Sequence, residues 1–427
     1  MSPLRLTPIM RREPATLLLA LALLSPVVAR AQARPAITSA DYGRWEGLGA
    51  ATLSPDGRWL AHVITRVNEE NELRIRSLAR DTVFMVPNGS GAAFGANSRW
   101  VAYAIGVSPA TRERLERERK PVRNALGLRD LTTGRTDSVP EIASFRLSPD
   151  GRYVAMRRYP AEGKRAADLL VQDLATGARM TFGSVGEFAW ADRRALLALT
   201  FDTEGGTGNA VQLYDPATGV VRVLDSSPSL YRGLAWRAKS ADLAVLRTAL
   251  EKAFRDTAHV ALSWANAPAA TAVRRELHPG SASGFPAAMR IAEHRAPAWS
   301  DDGSALYVGL RPREAATATD SSSGRGESAP RTERVSDVQV WHSKDVRIMP
   351  MQKVQERQDL QRTLLAAWHL GDGRVVPLGT DLLETTRVLE GGRVATETDR
   401  KPYAWGTMFG RPYHDVWLTD ARTGERR

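Results

Sequence analysis

A tight polar turn leading into a run of β-forming apolar residues recurs along this chain. Ser54-Pro55-Asp56-Gly57-Arg58-Trp59-Leu60-Ala61 returns almost intact as Ser148-Pro149-Asp150-Gly151-Arg152-Tyr153-Val154-Ala155, and in worn form as Ser300-Asp301-Asp302-Gly303-Ser304-Ala305-Leu306-Tyr307. Pro fixes φ and Gly takes a positive φ, so each phrase predicts a turn that opens a strand such as Trp59-Leu60-Ala61-His62-Val63. Corresponding anchor positions are Ser54, Gly95, Ser148, Ala191, Arg237, Ser300 and, faintly, Leu389. Their spacings are 41, 53, 43, 46, 63 and 89 residues. The first four suit one small four-stranded sheet per unit, and the last two require insertions. A large apolar residue precedes every anchor: Leu53, Phe94, Leu147, Trp190, Trp236, Trp299 and Val388.

A second phrase, Asp-x-x-Thr-Gly, closes several units, at Asp130, Asp173, Asp215 and Asp420. It reads as the hairpin turn into an edge strand. Two turn phrases in fixed alternation predict an all-β fold: a β-propeller of about seven four-stranded antiparallel blades, or an incomplete eight. A β-sandwich array is the competing architecture. Residues 108–124 read as a charged helical excursion. Residues 311–335 are Ser-, Gly-, Thr- and Ala-rich and read as a disordered loop. Residues 338–361 read as a strand followed by a helical insert in blade six.

Residues 1–33 stand apart from the fold. Arg5, Arg11 and Arg12 precede the apolar run from Ala15 to Ala29, and Ala31-Gln32-Ala33 is a small-x-small cleavage site. This is a signal peptide, with an uncleaved anchor as the competing reading. It predicts export to a periplasmic or extracellular space and no stable membrane span after cleavage. Residues 34–427 then form the propeller. With no cysteine, neither a disulfide nor a thiolate metal site is available. The net charge of +11 is spread over single arginines mixed with acids, which argues against nucleic acid as a partner.

These units resemble the propeller of the prolyl oligopeptidase family of serine peptidases, most closely its secreted dipeptidyl-peptidase and acylaminoacyl-peptidase-like branch. Asp41-Tyr42-Gly43-Arg44-Trp45 fits that branch, as does Trp341-His342-Ser343-Lys344-Asp345 running into Pro350-Met351-Gln352. The resemblance implies a propeller that caps an α/β-hydrolase domain and admits peptides by size. It implies peptide substrates and that hydrolase as partners. The hydrolase's Gly-x-Ser-x-Gly elbow is missing from these 427 residues; Gly280-Ser281-Ala282-Ser283-Gly284 comes nearest, with Ala282 at its centre. The chain is therefore expected to be catalytically inert, with no catalytic residue, no cofactor and no metal site. The seven histidines include no pair at i, i+4. A stand-alone TolB-like periplasmic propeller acting as a protein-binding scaffold is the alternative. In dipeptidyl peptidases a propeller Glu pair holds the substrate's amino terminus, so Glu69 and Glu70 are the candidate substrate-binding residues. A solvated hairpin tip is the structural reading of the same pair.

Overall fold

The computed structural model describes residues 37–43, 45–251, 253–315, 342, 345–407 and 409–427. Within them the chain is an all-β propeller of successive antiparallel sheets. Sheet 1 pairs Glu46–Leu53, Trp59–Arg66, Glu72–Ser77 and Val83–Pro87 in chain order. Sheet 2 pairs Gly89–Phe94, Trp100–Ile105, Ala125–Asp130 and Thr136–Val139. Sheet 3 holds Ile142–Leu147, Tyr153–Arg158 and Ala167–Asp173. Its fourth strand, Arg179–Trp190, continues as the first strand of sheet 4, followed by Leu197–Phe201, Ala210–Asp215 and Val220–Ser226. Sheet 5 holds Tyr231–Trp236, Leu243–Ala249, Ala258–Ala265 and Val273–Leu277. Sheet 6 holds Ala298–Trp299, Ala305–Pro312, Leu364–His369 and Val375–Pro377. Sheet 7 holds Thr386–Val388, Val394–Asp399 and Asp415–Asp420. Residues 425–427 begin a fourth strand, with Leu418 and Arg427 exchanging backbone bonds of 2.8 Å.

All seven anchors do the same thing. The backbone N–H of Ser54, Gly95, Ser148, Ala191, Arg237, Ser300 and Leu389 donates to the carbonyl five residues on, at 2.8–3.0 Å. In the three fullest phrases the anchor hydroxyl donates to the turn Asp: Ser54 to Asp56 at 2.6 Å, Ser148 to Asp150 at 2.5 Å and Ser300 to Asp302 at 2.7 Å. The second phrase is equally regular. Gly134, Gly177, Gly219 and Gly424 donate to the carbonyls of Asp130, Asp173, Asp215 and Asp420 at 2.7–2.9 Å. The two turns of a sheet are then stapled together. Leu78, Leu131, Leu174, Ala267, Leu370 and Ala421 donate to the carbonyls of Arg58, Arg99, Arg152, Ala241, Ser304 and Arg393 at 2.7–2.9 Å. In sheet 4 the residue at this place is Pro216, which has no N–H to give.

Between sheets the contacts repeat as well. Trp190 donates its indole N–H to the carbonyl of Arg146 (3.1 Å), Trp236 to Ala189 (2.9 Å) and Trp299 to Ala235 (2.9 Å). Each tryptophan thus reaches back to the same place in the preceding sheet. A buried apolar cluster fills each successive gap. Val154 and Met156 face sheet 2, for example, while Tyr153 and Ala155 face sheet 4. In sheets 3 to 6 the second strands run apolar rather than alternating because both of their faces are buried.

Three departures from the regular plan have local causes. Sheets 3 and 4 share a strand because Ser184 (φ 55°) and a bulge between Val185 and Phe188 bend it without a turn. Sheets 5 and 6 are joined by an extra strand, Met289–Ile291, which pairs with His259 on one side and Leu310–Pro312 on the other. Of the loop expected over 311–335, Arg311 and Pro312 therefore belong to a strand, and residues 316–335 lie outside the described residues. The helix expected at residues 108–124 is Pro109–Arg117. The insert of sheet 6 is helix Met349–Gln361, with residues 338–341 outside the described ones. The signal peptide over 1–33 also lies outside them.

The paired glycines of the turn phrase separate backbone strain from inter-sheet packing. Gly57 (φ 70°) has open space where a Cβ would stand. At Gly151 (φ 71°) a Cβ would meet Asn97 Oδ1 at 2.9 Å and Ala96 N at 3.0 Å. Gly57→Ala is expected to cost about 1–2 kcal/mol through φ alone. Gly151→Ala is expected to cost about 1 kcal/mol more, because it also displaces the hydrogen bond from Asn97 to the Gly151 carbonyl. Urea midpoints of the two variants provide the comparison, and equal losses would contradict this packing.

Candidate functional site

The strand order gives the propeller two unlike faces. Both stapled turns of every sheet connect first to second and third to fourth strands, so they share one end. The second-to-third connections and the sheet-to-sheet links emerge at the other. Every helix that interrupts the sheets lies on that second face: Pro109–Arg117 in sheet 2, Met349–Gln361 in sheet 6, and Lys401–Tyr403 with Ala404–Thr407 in sheet 7. Loops free of sheet pairing are where side chains are available for recognition.

Glu69 and Glu70 sit on this face, at the tip between Trp59–Arg66 and Glu72–Ser77. They diverge. Glu69, at φ 61°, accepts from Arg112 of helix Pro109–Arg117 (2.7 Å), tying sheet 1 to the excursion of sheet 2. Glu70 accepts from Asn68 Nδ2 at 2.9 Å, and its carbonyl accepts from Arg66 at 2.7 Å, closing its own turn. Both carboxylates are thus engaged in shaping the loop.

A cleft of about 1450 Å³ lies on this face between helix Met349–Gln361 and the loops of sheet 7. The helix stands off the core, with no buried residue. Asp359 holds both of its ends: it accepts from Arg347, before the helix, at 2.5 Å, and from Arg362, after it, at 2.9 Å. Arg362 also donates to the Leu383 carbonyl across the cleft at 3.0 Å, and Arg311 of sheet 6 donates to the Arg362 carbonyl at 2.7 Å. Met351, Leu360 and Leu383 line the cleft as exposed apolar side chains. Gln355 also lines it, and its buried Oε1 has no hydrogen-bond donor among the described residues.

The opposite wall is fixed from beneath by Glu397, 1% exposed. It accepts from the N–H groups of Thr380 (2.7 Å) and Asp381 (3.1 Å) and pairs with Arg426 at 2.9 Å. Above it, Glu384 accepts from Arg400 (2.8 Å) and Thr398 (2.6 Å), and Asp381 pairs with Lys401 at 2.8 Å. Burial pushes the Asp381 carboxyl upward, but the Lys401 ammonium and the Leu383 N–H outweigh it and hold it below the ordinary carboxylate range. The same contact raises Lys401. Beyond this wall Tyr403, Trp405, Phe409 and Tyr413 are exposed, with Tyr403 and Tyr413 edge to face at 6.3 Å. Exposed aromatic clusters of this kind mark contact surfaces.

The sequence pointed to the insert but not to this cleft, because its far wall comes from residues 381–385 and 400–407, which carry no motif. Chemically the cleft can bind an extended chain: apolar rim, paired charges, and one free amide acceptor. Among the described residues the histidines near the sheets serve structural bonds. His259 and His369 bond the carbonyls of Ile291 and Ala421, and His278 bonds Glu276. Among the described residues no three His, Asp or Glu side chains gather as metal ligands, and no helix is long and apolar enough to cross a membrane.

No protein-family model and no curated protein sequence matches this chain. Among solved structures it is distantly similar to prolyl endopeptidases, with 12% identity and a TM-score of 0.39 over 90% of this chain and 49% of that one. It is likewise similar to the β-propeller domain of the Trilobed protease from Pyrococcus furiosus (10% identity, TM-score 0.36, 90% and 97% of the two chains). A third similarity is to oligogalacturonate lyase from Vibrio parahaemolyticus (10%, 0.36, 86% and 88%). The chain spans about half the length of the prolyl endopeptidase it matches.

Two outcomes follow for the cleft. Asp359→Asn removes the common partner of Arg347 and Arg362, so amide exchange in Met349–Gln361 should accelerate roughly fivefold, about 1 kcal/mol, with the global urea midpoint unchanged. A coincident fall in global stability would show the helix to be part of the core. The Asp381–Lys401 tether should respond to pH at both ends. Asp381's folded value is depressed, so its contribution is complete above the ordinary carboxylate pKa and fades as pH falls through the depressed value. Lys401's is raised, so its contribution fades only as pH climbs through that raised value. Exchange rates at residues 401–407 should rise at both extremes, and Asp381→Asn should flatten the acid limb.

Proposed function

We propose that this chain is the recognition and gating propeller of an exported serine peptidase of the prolyl oligopeptidase type, inert by itself and acting beside an α/β-hydrolase. Peptides would enter over the loop-bearing face, with the cleft under helix Met349–Gln361 as their first contact. The observation that carries this reading is the segregation of the two faces. Among the described residues every helical insertion lies at one end, two of them flanking a cleft, while turns close the other. The Ser-Pro-Asp-Gly-Arg phrases support the peptidase kinship. The exposed Met351, Leu360 and Leu383 support an unfolded or extended ligand, which can insert apolar side chains between them. Glu69 and Glu70 remain proposed contributors on the same face, through the loop they shape rather than as a free carboxylate pair.

The test joins a binding assay to an activity assay on the whole chain. Fluorescein-labelled unstructured peptides should show saturable anisotropy changes, weakened about tenfold by Leu360→Asp, roughly 1.4 kcal/mol of lost apolar contact. Fluorogenic dipeptidyl and aminoacyl substrates should show no turnover. Cleavage by this chain alone would overturn the reading. Binding of folded proteins with no peptide binding would move it to a stand-alone scaffold.

A further inference from the structure

Three arginines, Arg157, Arg232 and Arg295, lie at or near strand ends on the loop-bearing face. Arg157 lies near the end of Tyr153–Arg158 in sheet 3. Arg232 and Arg295 each stand five residues before an anchor, Arg237 and Ser300, in sheets 5 and 6. The equivalent residue of sheet 4 is Gly186, five before Ala191. A Cβ there would stand 3.5 Å from Arg232 Nη1 and 3.0 Å from Thr200 Oγ1, so the Arg232 guanidinium lies against bare backbone. From the other side Arg157 Nη2 reaches the neighbouring carbonyl, Val185, at 3.4 Å. Two guanidiniums from sheets 3 and 5 therefore converge on the Val185-Gly186 backbone of sheet 4.

Their charge is poorly matched. Among the described residues Arg157 has no carboxylate within ion-pair distance. It bonds only the carbonyls of Arg165 and Val185, and its buried Nε has no partner. Arg232, 13% exposed in its side chain, has one distant acid, Asp202 at 3.7 Å, and a weak bond to its neighbour's carbonyl, Tyr231, at 3.4 Å. Its Nη2 is buried without an acceptor. Glu187 offsets part of the Arg157 charge from nearby, while its Oε2 accepts from the N–H groups of Gly233 (2.8 Å) and Leu234 (3.0 Å). Arg295 donates to Thr363 Oγ1 at 3.0 Å and has no ion pair among the described residues. Burial lowers the pKa of Arg157 and Arg295, as unbalanced cations in a half-dry setting require. Guanidinium N–H groups without acceptors favour a planar carboxylate as ligand.

We propose that Arg157 and Arg232 form a carboxylate-binding site on the loop-bearing face that captures an acidic group of a bound peptide. This rests on the reading of the chain as a peptide-recognition propeller and adds which chemical end of the ligand the site selects. The carboxylate could be the peptide's C-terminus or an Asp or Glu side chain, and the experiment separates these.

Three labelled peptides of one sequence are titrated against the whole protein: free C-terminal acid, C-terminal amide, and amide with one internal Glu. The free acid should bind about tenfold more tightly than the amide. Tight binding of the third peptide would instead assign the site to side-chain carboxylates. Arg232→Gln and Arg157→Gln should each erase the difference, as should Gly186→Ala, which places a methyl against Arg232. Equal affinity of all three peptides for the unmodified protein overturns the proposal while leaving peptide recognition intact. Should no peptide bind, glutarate gives a separate measure. A rise in melting temperature with glutarate that Arg232→Gln abolishes supports the site even as the peptide reading fails, and no rise overturns it.

Discussion

Sheets 2 to 6 are each packed on both faces, and most of the architecture follows from that. A strand packed against one neighbour through Val154 and Met156 and against the next through Tyr153 and Ala155 cannot slip by one residue without exchanging its two cores. The register must therefore be fixed before packing can succeed. The turn phrases do this: seven anchors make the same hairpin bond, and six sheets staple their two turns with one further backbone bond. The tryptophan series, reaching from Trp190, Trp236 and Trp299 into the preceding sheets, transfers that register from sheet to sheet.

This is also why so much of the fold was legible in the sequence. Turn chemistry is local: Pro, Asp and Gly impose their dihedrals whatever surrounds them, so the anchors could be placed to the residue even at Leu389, where the phrase has eroded to Gly391-Gly392. The joining strand Met289–Ile291 escaped notice because it exists only through partners at His259 and Leu310–Pro312, far away in sequence. The shared strand Arg179–Trp190 lacks any turn signal at its midpoint, so nothing in its residues announces that one sheet ends and another begins. The site was less legible still. Glu69 and Glu70 read as a pair because they are adjacent, yet at the tip of a hairpin neighbouring side chains part company, one toward Arg112 and the other into its own turn. The cleft and the arginine site gather residues from distant units that no spacing could have joined.

The segregation of the two faces has a structural origin before it has a functional one. The end bearing the stapled turns cannot lengthen a connection without breaking the bond between turns, so insertions accumulate where no such bond exists. Helix Met349–Gln361 can thus be added to sheet 6 with no buried residue of its own and no change in the pairing of Ala305–Pro312 with Leu364–His369. A scaffold built in this way holds its loops rigidly at their bases while leaving their tips free to differ.

The two faces differ in the balance of forces that hold them. At the turn end backbone hydrogen bonds and apolar clusters are joined by the pairs Arg99–Asp130, Arg152–Asp173 and Arg237–Asp242. The loop end is held mainly by ion pairs: Glu69 with Arg112, Lys164 with Glu204, Asp359 with Arg347 and Arg362, Asp381 with Lys401, Glu384 with Arg400. Most of these side chains are partly exposed, where salt screens attraction over about 8–10 Å and single pairs contribute little. The loop-bearing face, with few apolar contacts beneath these pairs, is therefore the softer of the two to salt and to extremes of pH. A ligand bringing its own carboxylate to the under-neutralised arginines would tighten the end of the molecule that its own backbone leaves loosest.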